Sequence, residues 1–339
     1  MNVLQKSLGT NEGINYTNII LMALSLVFSV LLPFETFLFV YAVLGPLHYL
    51  TEISWLEKRS FFVTNKKDVI LFLVCGILFT IPVFFSGTPI QFYLSRVMML
   101  AVFYAAIIVL VKNNILKYGL AVIFFFISMA KKDDYSSSTF LFYGILIPTI
   151  IHVFIFTGLF ILFGALKTKS KSGLLSLLFF IICPIILFLV NIDYSIVQAG
   201  NYIKNNLANF EIINKSLIML FGLDNSVTNL QSALQINKTI LYTSSGAIMV
   251  ARFIAFAYTY HYLNWFSKTS VIKWHDVSKK RMFVILFLWI GSVVFYIINY
   301  QLGFKILFLL SIMHVLLEFP LNIVTLKGIG IELKNLVRQ

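Results

Sequence analysis

Long apolar runs recur along this chain at close to the length of a bilayer crossing, and each stops at a charged or Pro/Gly break. Ile19–Leu32, Val69–Phe85, Leu174–Val190 and Phe283–Tyr296 are nearly free of charge. Helices near ~20 residues are what a chain needs to cross membrane hydrocarbon. Only 12% of the 339 residues are charged and 60% are hydrophobic, about half the charge of a soluble domain. The expected fold class is therefore an all-α integral membrane protein, one polytopic membrane domain over residues 1–339.

Apolar runs read against their breaks predict about ten transmembrane helices, near 15–32, 34–56, 69–86, 89–111, 114–130, 138–165, 173–190, 241–267, 282–300 and 304–326. The first two come from one stretch, Thr17–Leu50, that is too long for a single span. Pro33 breaks it, and Phe34-Glu35-Thr36 is expected to form a tight turn. The first run starts after a mostly polar segment, with no basic region beyond Lys6 and no small-x-small site, so it does not read as a cleavable signal. Cys75 and Cys183 fall inside apolar runs and read as packing residues.

Loop charge alternates. Lys58, Arg59, Lys66 and Lys67 follow the second helix, Lys112 and Lys117 the fourth, Lys167, Lys169 and Lys171 the sixth, and Lys268, Lys273, Lys279, Lys280 and Arg281 the eighth. The opposite loops are neutral (Ser86–Thr88) or balanced (Lys131-Lys132 against Asp133-Asp134). The positive-inside rule then puts both termini in the cytoplasm. The net charge of +13 reads as orientation and contact with membrane lipids, not as a nucleic-acid footprint. Residues 191–239, Asn-rich and charge-balanced, are expected as an outer-face interfacial insertion, with amphipathic pieces at Ile192–Leu207 and Ile212–Phe221 that lie at the interface or cap the outer mouth.

An ionisable side chain inside a membrane helix costs a few kcal/mol, so each asks for a reason. The predicted spans hold His48 and Glu52, Arg96, His152, Arg252 and His261, and His314 and Glu318. His48, His152 and His314 fall at similar depths, about 10 to 14 residues from the outer helix end, with His261 somewhat deeper. His48-x-x-x-Glu52 and His314-x-x-x-Glu318 each set an imidazole and a carboxylate on one helix face, one turn apart. A single such histidine is usually an interhelical hydrogen bonder. Four at compatible depth, two with i+4 carboxylates, point to a metal site held by His48, Glu52, His152, His261, His314 and Glu318. Glu52 and Glu318 either complete the coordination or orient histidines, or form a proton relay. Imidazole and carboxylate without thiolate suit Fe(II), with Zn or Mn as alternatives; the set leaves one metal or two open. Arg96 and Arg252 read as headgroup or helix-end partners, and His275 as a solvated loop residue. No HExxH, P-loop, GxSxG or helix-opening GxGxxG is present.

The Pro-preceded His with a following acid (Gly45-Pro46-Leu47-His48 and Glu52), the dispersed intramembrane histidines, and Tyr260-His261-Tyr262-Leu263-Asn264-Trp265 running on to Trp274-His275 resemble the Brp/Blh family of bacterial and archaeal membrane dioxygenases. The resemblance implies that His48, His152, His261 and His314 form the histidine set of a non-haem iron oxygenase. It implies oxidoreductase chemistry on a lipid-soluble substrate, such as cleavage of a carotenoid or another isoprenoid. This chain departs from the family pattern in having Glu52 as its first acid and a thirteen-residue gap from His261 to His275. The expected setting is a bacterial cytoplasmic (inner) membrane, and the expected partners are membrane lipids and a hydrophobic small molecule. A proton- or cation-coupled transporter using the His/Glu pairs, and a bis-histidine haem protein, are the competing expectations. Protein partners and oligomeric state are not legible.

Overall fold

The computed structural model describes residues 11–84, 94–130, 138–189, 197 and 199–338. The described residues are mostly helical, with no strand among them. Helices α1 (Asn11–Leu31), α2 (Pro33–Lys58), α3 (Val69–Phe84), α4 (Leu94–Leu110) and α5 (Asn114–Ala130) come first. A π-helix (Phe140–Phe156) follows and runs into α6 (Thr157–Thr168), and then comes α7 (Lys171–Leu189). The short helices α8 (Asn201–Asn206), α9 (Glu211–Leu220), α10 (Leu230–Leu234) and α11 (Lys238–Thr243) precede α12 (Ser245–Ser267). The chain ends with α13 (Thr269–Ile272), α14 (Lys279–Ile298) and α15 (Tyr300–Val337).

Among the described residues, six helical stretches are long and apolar enough to cross a membrane: Asn11–Leu31, Pro33–Lys58, Phe140–Thr168, Lys171–Leu189, Lys279–Ile298 and Tyr300–Val337. Their exposed sides are apolar, with Ile20, Leu24 and Phe28 on α1 and Phe283, Phe287 and Ile290 on α14 open to the surroundings. These features are those of an integral membrane protein. The expected loops Ser86–Thr88 and Lys131–Asp134 lie outside the described residues, as does most of the start of the 191–239 segment.

Pro33 acts differently from the sequence expectation. No turn forms at Phe34–Thr36; the helix stops only at Leu32 and restarts on Pro33. Proline suits that first helical position because its fixed φ is already helical and the N–H it lacks has no helical acceptor there.

The chain folds as two compact units. One comprises Met1–Leu44, Val153–Asp276 and Gly328–Gln339, the other Gly45–His152 and Val277–Lys327. In the first unit α12 packs on α1 and α7, which also pack on each other, and α9 and α11 lie against α12. Residues 212–221, expected at the interface or as a cap on the outer mouth, dock on protein through Ile213, Leu217 and Ile218, as a cap would. Met22, Ile161, Phe180, Cys183, Leu187, Phe256 and Tyr260 form the core. Of the 23 residues of α12, 18 are buried, so protein surrounds it and its composition is freed from the apolar demand placed on a lipid-facing helix. Polar groups in it find partners. Tyr260 and Ser267 hydroxyls donate to Asn18 Oδ1 at 3.1 and 3.0 Å. Arg252 is fully buried and donates from Nε to the Val30 carbonyl at 3.1 Å, in the last turn of α1, where a cation meets the negative helix end. The helix-end reading of Arg252 holds; a headgroup contact does not fit a side chain with no exposure.

In the second unit α3, α4 and α5 pack in sequence, and Phe72, Cys75, Met98, Ala101, Ala105, Leu316 and Phe319 belong to one core. The same unit holds a buried ion pair, Lys117 Nζ to Asp68 Oδ2 at 3.0 Å, with both side chains at most 1% exposed. Tyr118 and Tyr104 hydroxyls approach Asp68 Oδ1 at 3.0 and 3.4 Å. Lys117, expected as a loop charge facing headgroups, is instead enclosed by a carboxylate and two phenols, because its neighbours supply the counter-charge that lets a cation be buried. Arg96, expected at a headgroup or a helix end, is buried in the first turn of α4.

Candidate metal centre

Three helical segments of the second unit carry the donors. On α2, His48 and Glu52 follow Pro46, a proline inside the helix. Thr51 Oγ1 donates to the carbonyl of Leu47 at 2.7 Å, a common way to satisfy a hydroxyl among apolar neighbours. His152 lies in the π-helix, four residues after Pro148. His314 and Glu318 lie on α15, just before Pro320. All five side chains are buried.

The imidazoles converge. His152 Nε2 and His314 Nε2 are 3.0 Å apart. Their ring centres lie 4.9 Å apart at 74°, and those of His48 and His314 lie 5.3 Å apart at 80°. A ring nitrogen of His48 and one of His314 are within 4.8 Å. Tyr49 stacks on His314 with centres 4.1 Å apart and planes 22° from parallel, which fixes that ring's orientation.

The carboxylates complete the set. Glu52 Oε2 stands 3.0 Å from His48 Nε2, so the i+4 pair forms as expected from its spacing. Glu318 Oε2 stands 3.0 Å from His152 Nδ1. The expected partner of Glu318 within the centre was His314, on its own helix; the imidazole it meets is on the π-helix instead. Neither Glu52 Oε2 nor Glu318 Oε2 accepts a hydrogen bond from a described residue, so both approaches are made off the N–H axis.

His261, the remaining histidine of the expected set, belongs to the other unit. There it sits on α12 with Thr157 Oγ1 2.8 Å from its Nδ1, a hydroxyl contact of the kind that fixes a ring's orientation. The second unit thus brings together His48, Glu52, His152, His314 and Glu318.

The five residues fit a divalent cation on three grounds. Two donors each about 2.1 Å from one ion and at right angles to one another are ~3.0 Å apart, which is the spacing of the His152–His314 and His48–Glu52 pairs. Two carboxyl groups are buried in a site without solvent, and a divalent ion is the partner that would stabilise their ionised form there. Oxygens that accept no hydrogen bond in a buried site call for a partner of another kind. Neutral nitrogen and carboxylate oxygen donors, with Cys75 packed in the core away from them, suit iron, manganese or zinc.

Sequence reasoning assigned no task to Tyr49, although it stands beside His48, and did not single out Asn322. Asn322 lies on α15 one turn beyond Glu318, is 1% exposed, and neither its Oδ1 nor its Nδ2 has a hydrogen-bond partner among the described residues. Only ionisable residues were sought in the spans, which passed over a neutral amide. Comparison with protein-family models, with curated proteins and with solved structures finds no match.

Proposed function

We propose that this protein is an intramembrane metal-dependent oxygenase with a non-haem iron centre, acting on a lipid-soluble substrate such as a carotenoid or another isoprenoid. It would be a ten-span protein of a bacterial cytoplasmic membrane with both termini inside. The observation that carries the reading is the convergence of three imidazoles and two carboxylates, buried and 3.0 Å apart in pairs. Bound iron would supply the one-electron chemistry that activates dioxygen.

The chain's own residues do the rest. His48, His152 and His314 hold the ion through ring nitrogens. Glu52 joins them beside His48. Glu318 lies against the Nδ1 side of His152, where a carboxylate orients the ring and raises its basicity. Tyr49 keeps His314 from turning. Burial excludes water, which protects reactive oxygen species from side reactions, and a lipid-soluble substrate reaches such a site from within the bilayer. A bis-histidine haem fits poorly, because His152 and His314 nitrogens 3.0 Å apart leave no room for a porphyrin between them.

Elemental analysis of gently purified protein tests the reading. Near-stoichiometric iron without a Soret band, lost in His152→Ala and His314→Ala, is the expected result, together with oxygen uptake on adding isoprenoid lipids. The same measurement on His261→Ala tests the role that the sequence gave that residue. Metal-free protein that moves protons or cations across vesicles would overturn the proposal in favour of a transporter.

A further inference from the structure

Asn322 is an amide with two donors and an acceptor, all enclosed and none satisfied by a described residue. Leaving such a group unpaired costs about twice what a made hydrogen bond returns, so a buried amide of this kind calls for a partner from outside the chain. Its place on α15 narrows what that partner is. Asn322 follows Glu318 by four residues and His314 by eight, so the three sit along one stripe of the helix, ~6 and ~12 Å apart along the axis. The stripe continues through buried Thr325.

We infer that Asn322 binds an oxygen atom of the substrate, which makes the substrate class an apolar lipid bearing a hydroxyl or carbonyl group rather than a plain hydrocarbon. This rests on the oxygenase reading of the adjacent centre and specifies it. The amide gives a hydroxyl both a donor and an acceptor, and gives a carbonyl a donor. A hydrocarbon leaves it bare, and discrimination is strong when a substrate lacks the group that a buried polar side chain is built to meet. The reacting carbon then lies roughly 6–12 Å from that oxygen, the distance from Asn322 back to Glu318 and His314 along the helix.

The test compares iron-loaded wild-type protein with Asn322→Leu and Asn322→Ser in lipid nanodiscs. The probes are geranylgeraniol and the same twenty-carbon chain with hydrogen in place of the hydroxyl. Wild type is expected to bind the alcohol roughly tenfold more tightly than the hydrocarbon, the worth of about one satisfied buried hydrogen bond. Both variants are expected to lose that preference while binding the hydrocarbon as before and retaining their iron. Should Asn322→Leu fail to fold, Asn322→Ser, which keeps a small polar group too short to reach, carries the comparison. Equal binding of the two probes by wild type overturns the inference. So does an undiminished preference in the variants, which would mean that water alone meets the amide. Loss of iron from wild type would instead count against the centre itself, and iron content separates the two failures.

Discussion

Replacing Glu318 by Gln tests the cross-helix contact at the centre. Glutamine keeps the shape and an acceptor oxygen but removes the charge that lies 3.0 Å from His152 Nδ1. Two full charges at that distance interact by at most ~5.5 kcal/mol at an effective dielectric constant of 20. The imidazole shares only part of the ion's charge, so the expected loss is smaller. Partners of this kind are worth 10–100-fold in metal affinity, or about 1.4–2.8 kcal/mol at 1.4 kcal/mol per tenfold. Anaerobic Fe(II) titration against a competing chelator measures this directly. His314→Ala, which removes a donor outright, should cost more. The effect of Glu318→Gln should vanish in a His152→Ala background and persist in His314→Ala, since the carboxylate acts through the ring it touches. An affinity within twofold of wild type, or an effect that survives loss of the His152 ring, would refute the reasoning.

Asp68→Asn leaves Lys117 buried without its counter-charge and is expected to lower stability by about 3–5 kcal/mol with iron affinity unchanged, as read by denaturant unfolding and the same titration; Asp68→Leu with Lys117→Met should recover much of the loss. Burial holds the Lys268 ammonium at about 8, below its ordinary 10.5. Between those values the unfolded chain binds the extra proton, so stability should rise as pH climbs from 8 towards 10.5; melting curves at pH 7.5 and 9.5 should show a gain that Lys268→Met lacks. Pro148→Ala removes a residue that disfavours helix by ~3 kcal/mol and should raise the melting temperature while weakening iron binding, because an α register in place of the π-helix turns His152 away. Unchanged affinity in that variant would show that the wide helix does not position the ring.

The helices were legible because apolar length and charged breaks are local properties. The run at Thr17–Leu50, its break near Pro33 and the His48–Glu52 pair could all be read from spacing alone. Partners across helices could not. An i+4 spacing says that His314 and Glu318 share a face, and it is silent on whether the carboxylate's nearest imidazole is on its own helix or, as here, His152 on another. Charge counting treats every lysine between spans alike, so Lys117 read as a headgroup-facing charge although Asp68, Tyr104 and Tyr118 enclose it. Arg252 could be read as a helix-end partner, but its acceptor, the Val30 carbonyl, is 222 positions away in the chain.

The prolines add a physical reason why a donor set can form here at all. Pro46, Pro148 and Pro320 lie inside the three helical segments that carry the donors. Straight packed helices keep their axes 8–10 Å apart in the usual case, and each α-helical residue steps round by a fixed angle. Rings from three such helices meet at one level only if some register is adjusted by less than a whole residue. Proline removes a backbone hydrogen bond and bends the helix, and a π-helix shifts the side-chain register, which is why such segments gather at functional sites. In most membrane helices these departures only cost stability. In this one they sit within four residues of His48, His152 and Glu318, and His152 meets both His314 and Glu318 from within the π-helical stretch. A chain selected for packing alone would gain by replacing those prolines. Their placement beside the donors is what a centre that must bring side chains from separate helices to one point requires.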